Sequence, residues 1–273
     1  MAILDDARLA FIGGGTMGAA IAAGLLKQGL VLPEQIVISE PVAARRTWLE
    51  QELSVETTDS NAHAAAQADV LLFAVKPQVL GEVLQGLRGA VLPQALVLSI
   101  VAGATIATYR ERLGTAAVVR VMPNTPAQVG EGASVWTATA EVTEEQLASA
   151  RAILGALGIE VRVENEHYLD AATALSGSGP GYVFLFIEAL TDAGVELGFS
   201  REVAARLALQ TVKGAAIYAE QSGLHPAILR NQVTSPGGTT AAALYEFEHG
   251  AFRGVVAAAV KAAYRRSIEL GAK

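Results

Sequence analysis

The chain has no cysteine, which removes disulfides, thiolate metal sites and a cysteine nucleophile together. It also lacks any excess of basic charge: 20 Lys and Arg against 27 Asp and Glu give a formal net charge of -7. Nucleic-acid binders carry a basic face, so no nucleic-acid partner is expected. No apolar run reaches the ~18 residues of a membrane-crossing helix, and no membrane partner is expected. Met1-Ala2-Ile3-Leu4-Asp5-Asp6 has neither the basic n-region nor the apolar h-region of a secretory leader, so the expected location is the cytoplasm. Charged residues make up 17% of the 273 positions and hydrophobic ones 52%. That balance excludes disorder and supplies a core for one or two domains.

Two kinds of chemistry are missing as well. His63, His167, His225 and His249 are scattered, with no H-x-x-x-H spacing, so no metal site is expected and surface or capping roles are. Ser178 lies between glycines, but G-x-S-x-G is not met and no partner histidine is placed.

What the chain does contain is a change of pattern near residue 164. Before it, short apolar runs alternate with helical stretches: Ala7–Ile12, Ile36–Ser39, Val70–Val75, Leu96–Ile100 and Val118–Val121. Continuously apolar strands are buried on both faces, which predicts a doubly wound, mostly parallel sheet between helices. After it, helices are predicted over 182–195, 201–220, 226–231, 239–248 and 254–270, with Gly198, Gly223 and Gly250 as stops. The expected domains are therefore 1–164, α/β, and 165–273, all-α.

Gly13-Gly14-Gly15-Thr16-Met17-Gly18 fits G-x-G-x-x-G between the first strand and first helix, where the motif signals dinucleotide binding. Gly13 serves the tight turn, Gly15 the approach to a pyrophosphate, and Gly18 the packing of helix on strand. Glu40 stands 22 residues beyond Gly18 at the end of the second strand. An acid there can accept from a ribose 2′-hydroxyl, which slightly favours NADH over NADPH; Arg45 and Arg46 offer the opposite option of holding a 2′-phosphate.

Four further motifs are Ala74-Val75-Lys76-Pro77, Met122-Pro123-Asn124-Thr125-Pro126-Ala127, Ser176-Gly177-Ser178-Gly179-Pro180-Gly181-Tyr182 and Ser235-Pro236-Gly237-Gly238-Thr239-Thr240. In this order over the whole chain they closely resemble the pyrroline-5-carboxylate reductase family. The resemblance implies NAD(P)H-dependent reduction of a cyclic imine, 1-pyrroline-5-carboxylate, to L-proline, the last step of proline biosynthesis. It implies a Rossmann-like domain followed by a helical domain that forms a homodimer, able to assemble further into rings. Carried residue by residue, Gly13 to Met17 resemble the pyrophosphate loop and Asn61 a dinucleotide-binding asparagine. Ala74, Val75, Lys76 and Pro77 resemble the strand end lining the cofactor cleft, Ala102 lies in a similar Val-Ala-Gly turn, and Met122, Asn124 and Thr125 belong to the loop beside the nicotinamide. Ser235, Gly237, Gly238, Thr239 and Thr240 resemble the substrate loop, with Thr240 contacting the imine nitrogen. The chain departs from the family at Thr16, where Asn is frequent, and at Leu224, where an acid is common.

The substrate loop has a physical reading of its own. Ser235 is a suitable N-cap with Pro236 at the first helical position, and the N–H groups of Gly237, Gly238, Thr239 and Thr240 would seat a carboxylate. Reduction of a C=N bond asks the protein for positioning and polarisation, which a neutral hydroxyl such as that of Thr240 supplies. A β-hydroxyacid dehydrogenase-like activity is disfavoured, because Tyr182–Asp192 carries no lysine. A noncatalytic dinucleotide sensor would not need residues 235–240.

Overall fold

The computed structural model describes residues 4–271; Met1, Ala2 and Ile3 of the N-terminal segment read above, with Ala272 and Lys273, lie outside the described residues. The first part of the chain runs β1 (Leu9–Ile12), α1 (Thr16–Lys27), β2 (Ile36–Ser39), α2 (Ala43–Leu53), β3 (Glu56–Thr58), α3 (Asn61–Ala65) and β4 (Val70–Phe73). It continues through α4 (Leu80–Gly86), β5 (Leu96–Ser99), α5 (Ile106–Leu113), β6 (Val118–Met122), β7 (Gly132–Ala138), α6 (Glu144–Gly155) and β8 (Gly158–Arg162). These strands form one sheet in the order β3-β2-β1-β4-β5-β6-β7-β8. All neighbouring pairs are parallel except β6 with β7. The order 3-2-1-4-5-6 within it is that of a doubly wound Rossmann sheet, with its topological switch between β1 and β4.

Strand residues alternate between two cores because successive side chains leave opposite faces. Leu9, Phe11, Ile36, Ile38, Leu72 and Leu98 join Ile21 and Leu25 of α1 and Leu49 of α2 on one face. Ala10, Ile12, Leu71, Phe73 and Val97 join Ala64 of α3, Leu84 of α4 and Tyr109 of α5 on the other. This two-sided burial is why the strands read as unbroken apolar runs.

Three strands escape the sequence reading. β3 is Glu-Thr-Thr at an edge, β7 mixes Gly, Ala, Ser and Trp, and β8 alternates apolar with charged residues. Each has at most one buried face, so none carries a continuous apolar run.

The second part comprises α7 (Tyr168–Ala172), a single π-helical turn at Thr173–Gly177, α8 (Gly179–Glu196), α9 (Arg201–Ser222), α10 (Pro226–Gln232), α11 (Thr239–His249) and α12 (Phe252–Gly271). Two compact units emerge: the chain to Ser178 together with the segment from Ala263, and Gly179–Ala262. The pattern change near 164 marks the last strand, whereas the first unit also retains α7 and the π-turn. Ser200 caps α9 by accepting the Val203 N–H, and left-handed Gly223 ends it. Among the described residues of α8, Thr191 alone is buried; Phe184 and Leu185 are 63% and 66% exposed.

Candidate active site

The glycine loop opens at the carboxyl end of β1. Gly13 has φ +107, and a Cβ there would stand 2.8 Å from the Ala74 carbonyl oxygen, so a side chain is excluded twice over. Its N–H donates to the Ser39 carbonyl at 2.9 Å. Gly15 is the N-cap of α1, and a Cβ built on it meets nothing within 4 Å. Among the described residues no side chain caps α1, and its first turn carries no acid. A tight turn therefore leads to an open-faced helix N-terminus with unclaimed N–H groups. Those residues fit the diphosphate of a dinucleotide.

The carboxyl end of β2 supplies the flank of this loop. Glu40 Oε2 accepts from the Gly14 N–H and Oε1 from the Val42 N–H, both at 3.1 Å. Arg45 Nε donates to the Gly14 carbonyl at 2.7 Å, while Arg46 Nη1 donates to the carbonyls of Glu40 and Pro41 at 2.8 and 3.0 Å. The Ser39 hydroxyl donates to Asn61 Oδ1 at 2.7 Å, and the Asn61 amide nitrogen has no acceptor among the described residues. Trp48, under the Arg45 guanidinium at 4.0 Å, was not singled out from the sequence. Its i, i+3 spacing from Arg45 is the signal that could have found it.

The carboxyl ends of β4, β5 and β6 bring the other expected residues to the same edge of the sheet. Ala74 and Val75 pack against Gly13, and Lys76 is an exposed N-cap before a short 3-10 turn at Pro77–Val79. Exposed Ala102 follows β5, where the Ser99 hydroxyl accepts the Val101 N–H at 3.2 Å and bonds the Tyr109 hydroxyl at 2.5 Å. Burial pushes the Tyr109 phenol well above its ordinary pKa, against smaller opposing effects of the Ser99 hydrogen bond and the Arg120 charge. After β6, Asn124 donates to the Ser176 carbonyl at 3.1 Å and accepts the Ala133 N–H at 2.8 Å. Its amide ties this loop to β7 and the π-turn. Met122 packs on the same turn: a Cβ on Gly177 would stand 2.7 Å from its Cε. Thr125 starts a 3-10 turn reaching Val129.

The substrate-loop motif lies in the second unit, and its local structure corrects the sequence reading. Ser235 does not cap a helix. The Gly238 N–H donates to the Ser235 carbonyl at 3.0 Å, and Gly237 has φ +69. Pro236 followed by left-handed Gly237 makes the pattern of a type II turn, and this local preference prevails over a proline-led helix start. The N-cap of α11 is Gly238, with no side-chain cap among the described residues and no acid in the first turn. The Gly238 N–H is spent within the turn, while those of Gly237, Thr239, Thr240 and Ala241 have no acceptor among the described residues. Thr239 is exposed and Thr240 half-buried. His225 accepts the Ala227 N–H through Nδ1 at 3.2 Å at the start of α10, a capping role.

Residues 166–270 match the family model described as pyrroline-5-carboxylate reductase dimerisation, and residues 8–103 one described as NADP oxidoreductase, coenzyme F420-dependent. A pyrroline-5-carboxylate reductase of Synechocystis sp. is 46% identical over 97% of this chain and 99% of its own length. The structure of a Coxiella burnetii pyrroline-5-carboxylate reductase superposes with a TM-score of 0.92 at 37% identity, covering 97% of this chain and 98% of that one. A Plasmodium falciparum pyrroline carboxylate reductase with NADP bound gives 0.87 at 35% identity, over 97% and 98%. With two family models and end-to-end identity in agreement, the chain belongs to the pyrroline-5-carboxylate reductase family.

Proposed function

We infer that this chain reduces 1-pyrroline-5-carboxylate to L-proline with NAD(P)H, the last step of proline biosynthesis. The observation that carries the reading is identity of 46% with a reductase of that name over nearly the whole of both chains. The dinucleotide supplies the hydride when bound. The chain's own work is to bind, orient and polarise.

In this reading the N–H groups at the start of α1 hold the diphosphate, with Gly13, Gly14, Gly15, Thr16, Met17 and Gly18 shaping the turn. Glu40 and the free amide nitrogen of Asn61 face the ribose, while Ala74, Val75, Lys76, Pro77, Ala102, Met122, Asn124 and Thr125 border the cofactor. The negative charge of Glu40 favours NADH; the relative with NADP bound makes NADPH the alternative to test. For the substrate, the first-turn N–H groups of α11 seat the carboxylate and the Thr240 hydroxyl donates to the imine nitrogen. Drawing electrons toward nitrogen makes the neighbouring carbon a better hydride acceptor. A homodimer through the helical unit accounts for α8, whose Phe184 and Leu185 are too exposed for a solvated helix. A biosynthetic reductase drawing on the NAD(P)H pool suits the cytoplasm.

The test is a spectrophotometric assay with 1-pyrroline-5-carboxylate and NADH or NADPH. Oxidation of the cofactor that depends on the imine is expected. Absence of turnover with either, in folded protein that binds dinucleotide, would overturn the reading.

A further inference from the structure

We propose that Arg45 is a positioning residue for the glycine loop, acting through backbone carbonyls and not as a ligand of a cofactor phosphate. The proposal rests on the dinucleotide-binding reading above. The Gly14 residue is held at both its polar groups: its N–H donates to Glu40 Oε2 at 3.1 Å and its carbonyl accepts from Arg45 Nε at 2.7 Å. Arg45 Nη2 also lies 3.4 Å from the next carbonyl, that of Gly15. The guanidinium carbon stands 4.0 Å from the Trp48 ring centroid, a cation–π contact that fixes its plane. Gly14 cannot retreat on that side, because a Cβ would already be 2.6 Å from Leu49 Cδ1. Arg45, Trp48 and Leu49 fall at i, i+3 and i+4 of α2, so one helix face presents all three.

The consequence follows from peptide geometry. In a trans peptide the N–H points opposite to the carbonyl. Turning the Gly14 and Gly15 carbonyls toward Arg45 sends the N–H groups of Gly15 and Thr16 away from α2. A Cβ built on Gly15 meets nothing within 4 Å, so the loop is not packed over at that residue. The loop is thereby ordered before any anion arrives, and the entropy of ordering it does not weaken binding. A positioning role affects both dinucleotides alike, since they share the diphosphate. A 2′-phosphate ligand would affect NADPH alone.

The experiment measures NADH and NADPH binding by calorimetry, with kcat and KM for each, in Arg45→Met and Arg45→Lys. Arg45→Met is expected to raise Kd and KM for both by about tenfold, the loss of roughly one charge-assisted hydrogen bond. The NADH-to-NADPH ratio should stay within about twofold, and kcat at saturating cofactor should stay close to wild type. Arg45→Lys, which keeps the charge without the fork, should restore both affinities in part. Trp48→Leu, which leaves the guanidinium but removes its stack, should give a smaller equal rise and serves if Arg45→Met melts early. A rise confined to NADPH, or no rise in either, overturns the proposal while leaving the dinucleotide reading intact. Wild-type protein that binds neither cofactor overturns both.

Discussion

The Glu40 carboxylate and the Gly14 N–H, 26 residues apart in the chain, meet at 3.1 Å. The acid at the end of β2 is thus a strut of the glycine loop, besides being the group proposed above to meet the ribose. These two uses can be separated. Glu40→Gln keeps a hydrogen-bonding oxygen but removes the charge that repels a 2′-phosphate. The ratio of kcat/KM values should move toward NADPH by about 1–2 kcal/mol, the scale of a charge-assisted hydrogen bond. Steady-state kinetics with both cofactors reads it directly. An unchanged ratio would assign Glu40 to the loop alone.

Arg120 and Glu166 form the most buried ion pair among the described residues, with Nη1 and Oε1 2.6 Å apart. The same Glu166 oxygen accepts the Ile106 N–H at 2.8 Å, at the start of α5. Glu166→Ala would leave a buried guanidinium without its counter-charge. The expected loss is about 2–3 kcal/mol, below the full cost of a broken buried pair because Glu166 keeps some solvent contact. Chemical denaturation should show it, and Arg120→Met in the same chain should recover most of it. A single variant as stable as wild type would mean that the pair contributes nothing.

The sheet and the glycine loop were legible because their signals are local. A buried parallel strand is one apolar run, and a close backbone approach demands glycine at Gly13 whatever surrounds it. β7 and β8 were not legible, since strands with a single buried face carry half the apolar signal. Ser235 to Gly238 misled for a different reason: Pro-Gly can start a helix or make a type II turn, and the chain uses the turn. The clamp of Glu40 and Arg45 on Gly14 depends on how α2 lies against α1, which no spacing in the sequence encodes.

Gly250 and Ala251 divide two roles between them, with a measurable outcome. The helix stops at Gly250 as the sequence reading expects, with Gly250 the C-cap of α11 at φ -74, and the left-handed φ of +52 falls on the next residue, Ala251. A left-handed alanine costs about 1–2 kcal/mol, and glycine returns roughly half of the gain through its freer unfolded chain. Ala251→Gly should therefore stabilise by about 0.5–1 kcal/mol and raise Tm by about 1–3 °C. Thermal melts at matched protein concentration test this. A lower Tm would show that the alanine methyl makes a contact worth more than the strain.

Tyr109 sets an alkaline limit on stability. Burial raises its folded pKa above the unfolded value of ~10. Its contribution is then complete below pH ~10 and is lost as the pH climbs from there toward the folded pKa, because the unfolded chain releases the proton first. At pH 10.5 the loss from this one group should be roughly 0.8 kcal/mol. Tyr109→Phe should be less stable at pH 8, where the Ser99 hydrogen bond is missing, but should lose less than wild type between pH 8 and pH 10.5. Urea unfolding at the two pH values decides it, and parallel losses in both proteins would refute it.

Thr240 is half-buried in the first turn of α11, and among the described residues no side chain, its own hydroxyl included, caps that helix start. The N–H groups around it and the hydroxyl itself have different proposed targets, a carboxylate and an imine nitrogen. Thr240→Val keeps the shape, the β-branch and every backbone donor while deleting the hydroxyl. If that hydroxyl strengthens its hydrogen bond as nitrogen gains electrons, kcat should fall by about tenfold to a hundredfold with KM for the imine nearly unchanged. Weaker carboxylate seating would instead raise KM and leave kcat alone. A valine variant with both constants at wild-type values would remove the hydroxyl from the reaction and leave α11 with a binding role only.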